Sequence, residues 1–246
     1  MPSKTDGRAA PSPIEARMNK VKVGFFSFTE ITDPAAHHSY NEWHMLDHMP
    51  EQFPLRGIVG GERWVSTPAC RDARRVSESR LDPIHYVTTY LMTEPVDETL
   101  FEFMALGREL HERGRFHHAR TSHLSGPFDV VDAHAAPRVL VSDEAVPWRP
   151  TRGLWVTVDA LDVAVDVDAA LALPGVAGTW AFAGNQAEYA DHPWNTNDLR
   201  IRVWYLDDDP LAVGDALADL VGQPADGRIF SGPFETITPW EWNWFA

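Results

Sequence analysis

Ser125-Gly126-Pro127-Phe128 and Ser231-Gly232-Pro233-Phe234 are the same four residues, 106 positions apart. They do not recur alone. Leu55-Arg56-Gly57-Ile58-Val59-Gly60 returns as Leu173-Pro174-Gly175-Val176-Ala177-Gly178, and a tryptophan follows each time, Trp64 and Trp180. HYVTTYL, from His85 to Leu91, corresponds to RIRVWYL, from Arg200 to Leu206. Three matches in the same order mark an internal duplication.

The elements between these marks repeat too. Val21 to Phe28 reads as a strand by its β-branched and aromatic content. Asp33-Pro34 is an N-cap with proline at the first helical position, and a helix should run to about His48 or a little beyond, with Pro50 ending or kinking it. Gly57 to Val65 is a second strand, residues 66–82 a polar loop, and His85 to Met92 a third strand. A helix from Glu98 to about Arg113 carries Leu100, Phe103, Met104 and Leu110 at spacings of three and four, and Pro127 to Asp132 closes the unit as a fourth strand. The order is βαββαβ, the ferredoxin-like motif. The second copy opens with a strand from Gly153 to Leu161 and a short first helix, Val165 to Leu171. A lone ferredoxin-like sheet exposes an apolar face, and two copies can bury theirs together. The expected fold is α+β: two tandem ferredoxin-like repeats, sheets face to face, closing into an intrachain pseudo-dimeric α/β barrel. The expected divisions are a disordered tail at 1–19, repeat one at 20–132, a linker at 133–150 and repeat two at 151–246.

Composition bounds the function. The chain has 246 residues, 44% hydrophobic and 23% charged, ordinary for a globular protein. No apolar run approaches the roughly 20 residues of a membrane span. One cysteine, Cys70, excludes an internal disulfide, and a cytoplasmic setting is expected. A net charge of −15 disfavours nucleic acid and anionic membranes as partners. From Thr151 onward there are four Arg and fifteen Asp or Glu, whereas ten of the eleven histidines precede that point. No P-loop, G-x-G-x-x-G, G-x-S-x-G or paired C-x-x-C occurs.

The stretch Tyr40-Asn41-Glu42-Trp43-His44-Met45-Leu46-Asp47-His48-Met49-Pro50-Glu51, then Leu55-Arg56-Gly57, resembles the dimeric α/β-barrel superfamily. It is most similar to the EthD-like branch, whose first helix ends in H-x-P before an L-x-G strand start. A duplicated bacterial chalcone isomerase and the polyketide cyclases are similar in style. The resemblance implies the fold more firmly than the reaction, because one fold hosts many chemistries.

His44 and His48 are four apart and share a helix face; His37, Tyr40 and Asn41 lie on the same side. Polar groups on a sheet-facing stripe cost desolvation unless they line a polar cavity. The expected site is therefore a pocket between helix one and the sheet. His48 is the expected general base, assisted by His44, with Tyr40 or His85 donating to a developing oxyanion. His37, Asn41 and Trp64 are expected substrate contacts. Asp47 is turned about 100° from His48 and could orient it only if the helix distorts near Pro50. Aligned copies put Asp166 against His48, Asp162 against His44 and Arg200 against His85, so repeat two is expected to be a structural partner. His117, His118 and His123 sit between helix two and the fourth strand as surface residues.

These residues predict a cofactor-independent isomerase, cyclase or lyase acting on a small aromatic, phenolic or polyketide-like compound. Alternatives are a metal- or oxygen-dependent monooxygenase, or a non-catalytic binding or stress protein. No cofactor is expected. A divalent metal would draw on His44, His48 and His85, and haem would need one axial histidine and a large apolar cavity. A homodimer remains open. Trp240, Trp242 and Trp244 share one face of an extended tail, as a cover, a chain-to-chain contact or an aromatic wall.

Overall fold

A computed structural model describes residues 20–78, 80–160, 163–184, 196 and 198–245. The expected tail at 1–19, the end of the Gly153 to Leu161 strand and Asp162 lie outside or partly outside these residues.

Nine strands form: β1 (Val21–Ile31), β2 (Ile58–Val65), β3 (Val76–Ser77), β4 (Tyr86–Thr93), β5 (Arg120–Ala135), β6 (Gly153–Ala160), β7 (Val176–Gly184), β8 (Leu199–Leu206) and β9 (Arg228–Thr236). All described pairings are antiparallel, in the order β2-β4-β1-β5-β7-β8-β6-β9, and β9 returns to β2. The eight long strands thus close a barrel, with β3 as a short addition on β9. Both halves show the same internal order: β2-β4-β1-β5, then β7-β8-β6-β9. The sheets do not stack as separate layers. They join edge to edge, at β5–β7 and at β2–β9.

Closure explains why β1 reads as a nearly unbroken apolar run. Its side chains alternate between two buried faces. Phe26 and Phe28 point into the barrel with Phe128, Trp180, Phe182, Phe230 and Phe234. Phe26 meets Phe128 and Phe182 edge-on, at 5.7 and 4.8 Å between ring centroids. Val23 and Phe25 point outward and pack with Met49, Tyr90, Met92 and Phe103. The phenylalanine of each SGPF motif, Phe128 and Phe234, is wholly buried inside the barrel.

The helices lie outside. α1 spans residues 34–52 and is continuous past Pro50. Asp33 caps it and Pro34 opens it, as expected. It runs a little beyond His48, and residues His44–His48 form a π turn, with the Met49 N–H donating to the His44 carbonyl. Pro50 has no N–H to give, and its ring crowds the carbonyl four residues back. The wider turn accommodates it, as inserted residues do in many helices. α2 is short, Pro68–Asp72, inside the stretch expected to be loop; Thr67 caps it by accepting from Cys70 N–H. α3 spans Val96–Glu112, α4 Val167–Leu171 and α5 residues 210–222.

β5 begins seven residues before the expected start and runs three beyond the expected end. It lengthens because its first part pairs with β1 and its last part with β7. The supposed linker therefore supplies barrel strand, followed by a 3-10 helix, Asp143–Trp148.

The alignment of HYVTTYL with RIRVWYL also needs correction. In the sheets Phe25 pairs with Tyr90 and Pro127, and Trp155 with Trp204 and Pro233, just as Gly60 pairs with Leu91 and Gly178 with Tyr205. The structural equivalence is one residue off the motif alignment, so Tyr90, not Thr89, corresponds to Trp204. A one-residue slip exchanges the two faces of a strand.

Candidate active site

A cavity of about 870 Å³ lies between α1, α3 and the outer face of β1, β4 and β5. Its walls are Phe25, Tyr90, Phe103 and Phe116, and Ser27, Thr29, Thr88, Ser122 and Ser125 supply hydroxyls. From α1 come His44, His48 and Gln52. His117, His118 and Arg120 close the side facing β5.

The two histidine rings are 5.1 Å apart and nearly perpendicular. His48 stacks on Trp43 at 4.6 Å and meets the edge of Phe116 at 5.1 Å. Burial holds His48 down at about 3, aided by the positive charge of Arg120 and opposed by Asp47. His44 is lowered too, first by burial and then by Arg63 and His48. Both imidazoles are neutral at pH 7. The π turn does not bring Asp47 onto His48. Asp47 and Glu51 instead pair with Arg115, Glu51 at 2.8 Å.

Behind His44 sits Arg63, 3% exposed. Its Nη2 donates to Asn41 Oδ1 at 3.0 Å, and its guanidinium lies 5.1 Å from the Tyr40 ring centre and 5.3 Å from that of Tyr86. Its Nε and Nη1 are buried with no acceptor. No carboxylate pairs with it among the described ion pairs. A buried cation without a counter-ion is costly and therefore informative. Five further buried polar atoms around the cavity lack partners: His44 Nδ1, His48 Nδ1, Gln52 Oε1, Thr88 Oγ1 and Tyr90 Oη.

The remaining expected residues separate from this pocket. Tyr40 is 1% exposed and packs against His44 at 5.7 Å without lining the cavity. His37 and Asn41 engage Tyr86: its hydroxyl accepts from Asn41 Nδ2 and donates to His37 Nδ1, each at 2.9 Å. Burial lowers His37 to about 4, which leaves Nδ1 free to accept. His85 precedes β4, where its Nδ1 accepts from Ile31 N–H at 3.1 Å and its Nε2 lies 2.8 Å from Arg71 Nη1. Burial, then His37 and Arg71, hold it at about 3. His37 and His85 are neighbours at 4.7 Å, so the suggested triad of His44, His48 and His85 is not assembled. Among the described residues no three His, Cys, Asp or Glu side chains are grouped to hold a metal ion.

Trp64 belongs to the barrel interior, on the other side of the sheet. Alternation along β2 turns Arg63, its neighbour, toward α1. Similarly, Tyr86 and Tyr90 face the helices, whereas Val87 and Leu91 face inward. Arg63, Tyr90 and Arg120 were missed from sequence. An arginine inside an otherwise apolar strand was the available signal.

His123 lies within β5 and its Nε2 is 2.7 Å from Glu30. The C-terminal tail covers α1. Trp242 is buried against Tyr40 and Tyr86, Phe245 stacks on His37 at 3.9 Å, and Trp240 is exposed. Cys70 is buried and its thiol is pushed up to about 12, chiefly by burial, so it is no nucleophile.

In the second half larger side chains stand at the matching positions. By register, Trp155 opposite Pro233 stands where Phe25 stands opposite Pro127. Its indole reaches Ser231 Oγ at 3.0 Å, and Ser231 is the counterpart of cavity-lining Ser125. Trp204, opposite Trp155, stands in the place of Tyr90, opposite Phe25. Indoles fill the space that the first half leaves open. Gly214 and Gly222 permit this, since a Cβ on either would come 2.9 or 3.1 Å from the Trp155 ring.

No family model matches the chain, and no curated protein matches it. Solved structures do. One is a candidate chlorite dismutase, TA0507, with TM-score 0.47, 10% identity, and 89% of this chain and 96% of that chain covered. A variant chlorite dismutase from Candidatus Nitrospira defluvii, in complex with cyanide, gives 0.46 and 11%, covering 94% and 96%. A candidate monooxygenase from Lactobacillus acidophilus gives 0.33 and 9%, covering 87% and 96%. No helix of the described residues is long and apolar enough to cross a membrane.

Proposed function

We propose that the α1–α3 cavity is the active site of a cofactor-independent acid/base enzyme: an isomerase, cyclase or lyase for a small aromatic, phenolic or polyketide-like compound. The observation that carries this is buried Arg63, without a carboxylate, behind two neutral histidines in an aromatic-walled pocket. In this reading the chain is a tandem duplication within the dimeric α/β-barrel superfamily, in the EthD-like style. The shared strand order of its halves supports that.

The chemistry follows from charge. A neutral imidazole can take a proton from an acidic C–H or phenolic O–H. His48 is the base and His44 assists. In the free site both are weak bases. An oxyanion developing nearby raises an imidazole's affinity for the proton, because opposite charges within about 4–6 Å stabilise each other. Arg63 and Arg120 favour the same anion from a low-dielectric surrounding. Tyr90 replaces Tyr40 and His85 as hydrogen-bond donor: its hydroxyl lines the cavity, lacks a partner, and stays protonated because burial raises it.

Turnover of a panel of phenolic and β-dicarbonyl compounds tests the reading. His48→Ala should lower kcat/KM by roughly 10²–10⁴ while the fold persists. Normal turnover by His48→Ala with a dead His44→Ala would move the base. Normal turnover by both would remove the pocket from the chemistry. Loss of activity on chelation, restored by a metal, would favour the monooxygenase alternative.

A further inference from the structure

A second cavity, of about 610 Å³, opens at one end of the barrel, between the start of β2, the ends of β4 and β8, and residues 147–150. The wall of β2 and β4 separates it from the α1–α3 cavity: Glu62, Trp64 and Thr89 point inward here, whereas Arg63 and Thr88 point outward there. Three large apolar side chains around its mouth are exposed, Phe53 at 46%, Val59 at 40% and Trp148 at 50%. An apolar rim of this kind marks a site for ligand or partner.

The polar groups inside are donors without acceptors. Trp64 is 3% exposed and its Nε1–H has no partner. Arg149 commits Nη2 to Asp207 at 3.3 Å, a carboxylate it shares with Arg138, and its Nη1 is buried and unpaired. The Glu62 carboxyl makes no hydrogen bond or ion pair within the described residues, and burial raises it to about 7. Glu62 pairs with Thr89 on β4 and acts on Tyr205 of β8, and Arg149 of the 147–150 segment lines the same cavity. Tyr205 stays neutral, because burial and Glu62 both raise it. Below neutrality the cavity therefore presents an indole N–H, a guanidinium N–H and a carboxylic O–H, with an apolar rim above. Donors that have lost water to burial gain most from a charged acceptor.

We infer that the barrel mouth is a second binding site, for a small monocarboxylate with an apolar body, held by Trp64 and Arg149 and admitted when Glu62 is protonated. The carboxylate accepts from the three donors and the hydrocarbon covers the rim. Above neutrality the Glu62 carboxylate repels it. The inference is independent of the reaction assigned to His48.

Hexanoate, hexan-1-ol and hexylammonium are the probes, with the Trp64 indole N–H resonance and tryptophan fluorescence as readouts. Hexanoate should bind at pH 6 and roughly tenfold or more weakly at pH 8, with the alcohol and the ammonium weaker at pH 6. Glu62→Gln donates at every pH, so it should keep the affinity of pH 6 and lose the pH dependence. Arg149→Gln should weaken binding about tenfold at both pH values. His48→Ala should leave binding unchanged, which separates this site from the helix-side pocket. Equal or tighter binding of the alcohol or ammonium, no response of the Trp64 resonance, no binding at all, or an unaffected Arg149→Gln would each overturn the proposal.

Discussion

Arg63 is the residue on which the chemistry turns. It lies one position from Trp64, yet their side chains enter different compartments. Removing a buried cation without a counter-ion relieves desolvation, so Arg63→Met should leave the thermal midpoint unchanged or raised. The same change removes fixed positive charge from the site. If the site stabilises an oxyanion, kcat/KM should fall by roughly 10²–10³. Paired melting curves and kinetics check this, and a large loss of stability with normal turnover would make Arg63 structural. The pH profile gives a second check. Burial puts the His48 pKa at about 3, so kcat/KM should stay flat from pH 7 to 5. An inflection near 6.5 in the free enzyme would contradict a buried neutral base. The histidine pair was legible in sequence, since a spacing of four on a helix places both on one face. Tyr90 and Arg63 were not, because choosing between two strand faces requires knowing which face the helices cover.

At the scale of elements, α1 is held from both sides. Its inner side meets the sheet through Tyr40, and its outer end is strapped by the C-terminal tail, where Trp242 is 3% exposed. The tail was expected to present three tryptophans on one face. Instead Trp240 adopts a positive φ of 73° and is exposed at 69%, while Trp242 packs inward. Trp242→Ala should cost about 3–5 kcal/mol, the usual loss for a buried large aromatic. Denaturant unfolding measures that loss, and a change under about 1 kcal/mol would show that the strap contributes little. The break expected at Pro50 became a π turn within a longer helix. Proline announces a disturbance from sequence, but packing decides whether the helix stops or widens.

For the whole molecule, closure and protonation set stability together. Three described strand contacts join the halves, β5–β7, β2–β9 and the short β3–β9, and they are unequal. β5–β7 pairs from Phe128 to Ala135, whereas β2–β9 pairs only at Trp64 and Val65. Amide exchange should be faster at the β2–β9 seam than at β5–β7, and the reverse order would place the weak edge elsewhere. Acid should destabilise the fold before its carboxylates are protonated. His37, His48 and His85 are held near 3–4, while the unfolded chain takes those protons near 6.5. No penalty exists above 6.5. It begins as pH falls below that value and stops growing at the folded-state values. Each such histidine should cost about 1 kcal/mol per pH unit within that window. Chemical denaturation between pH 7 and 5 checks the slope, and constant stability across that range would mean the histidines are solvated.

The repeated motifs and the alternation of apolar residues were enough to place the long strands, the helices and the two histidines on α1. Those features are local: spacing along a helix or strand expresses them whatever lies opposite. Three decisions were made only in three dimensions. Edge-to-edge closure covered both faces of β2 from Glu62 to Trp64, so neither hydrophobicity nor charge told inside from outside there. The equivalence between β4 and β8, one residue off the motif alignment, decided that Trp204 stands where Tyr90 stands. And the size of Trp155 against that of Phe25 decided which half keeps a cavity, because whether an outward side chain lines a pocket or fills it depends on the helix packed over it.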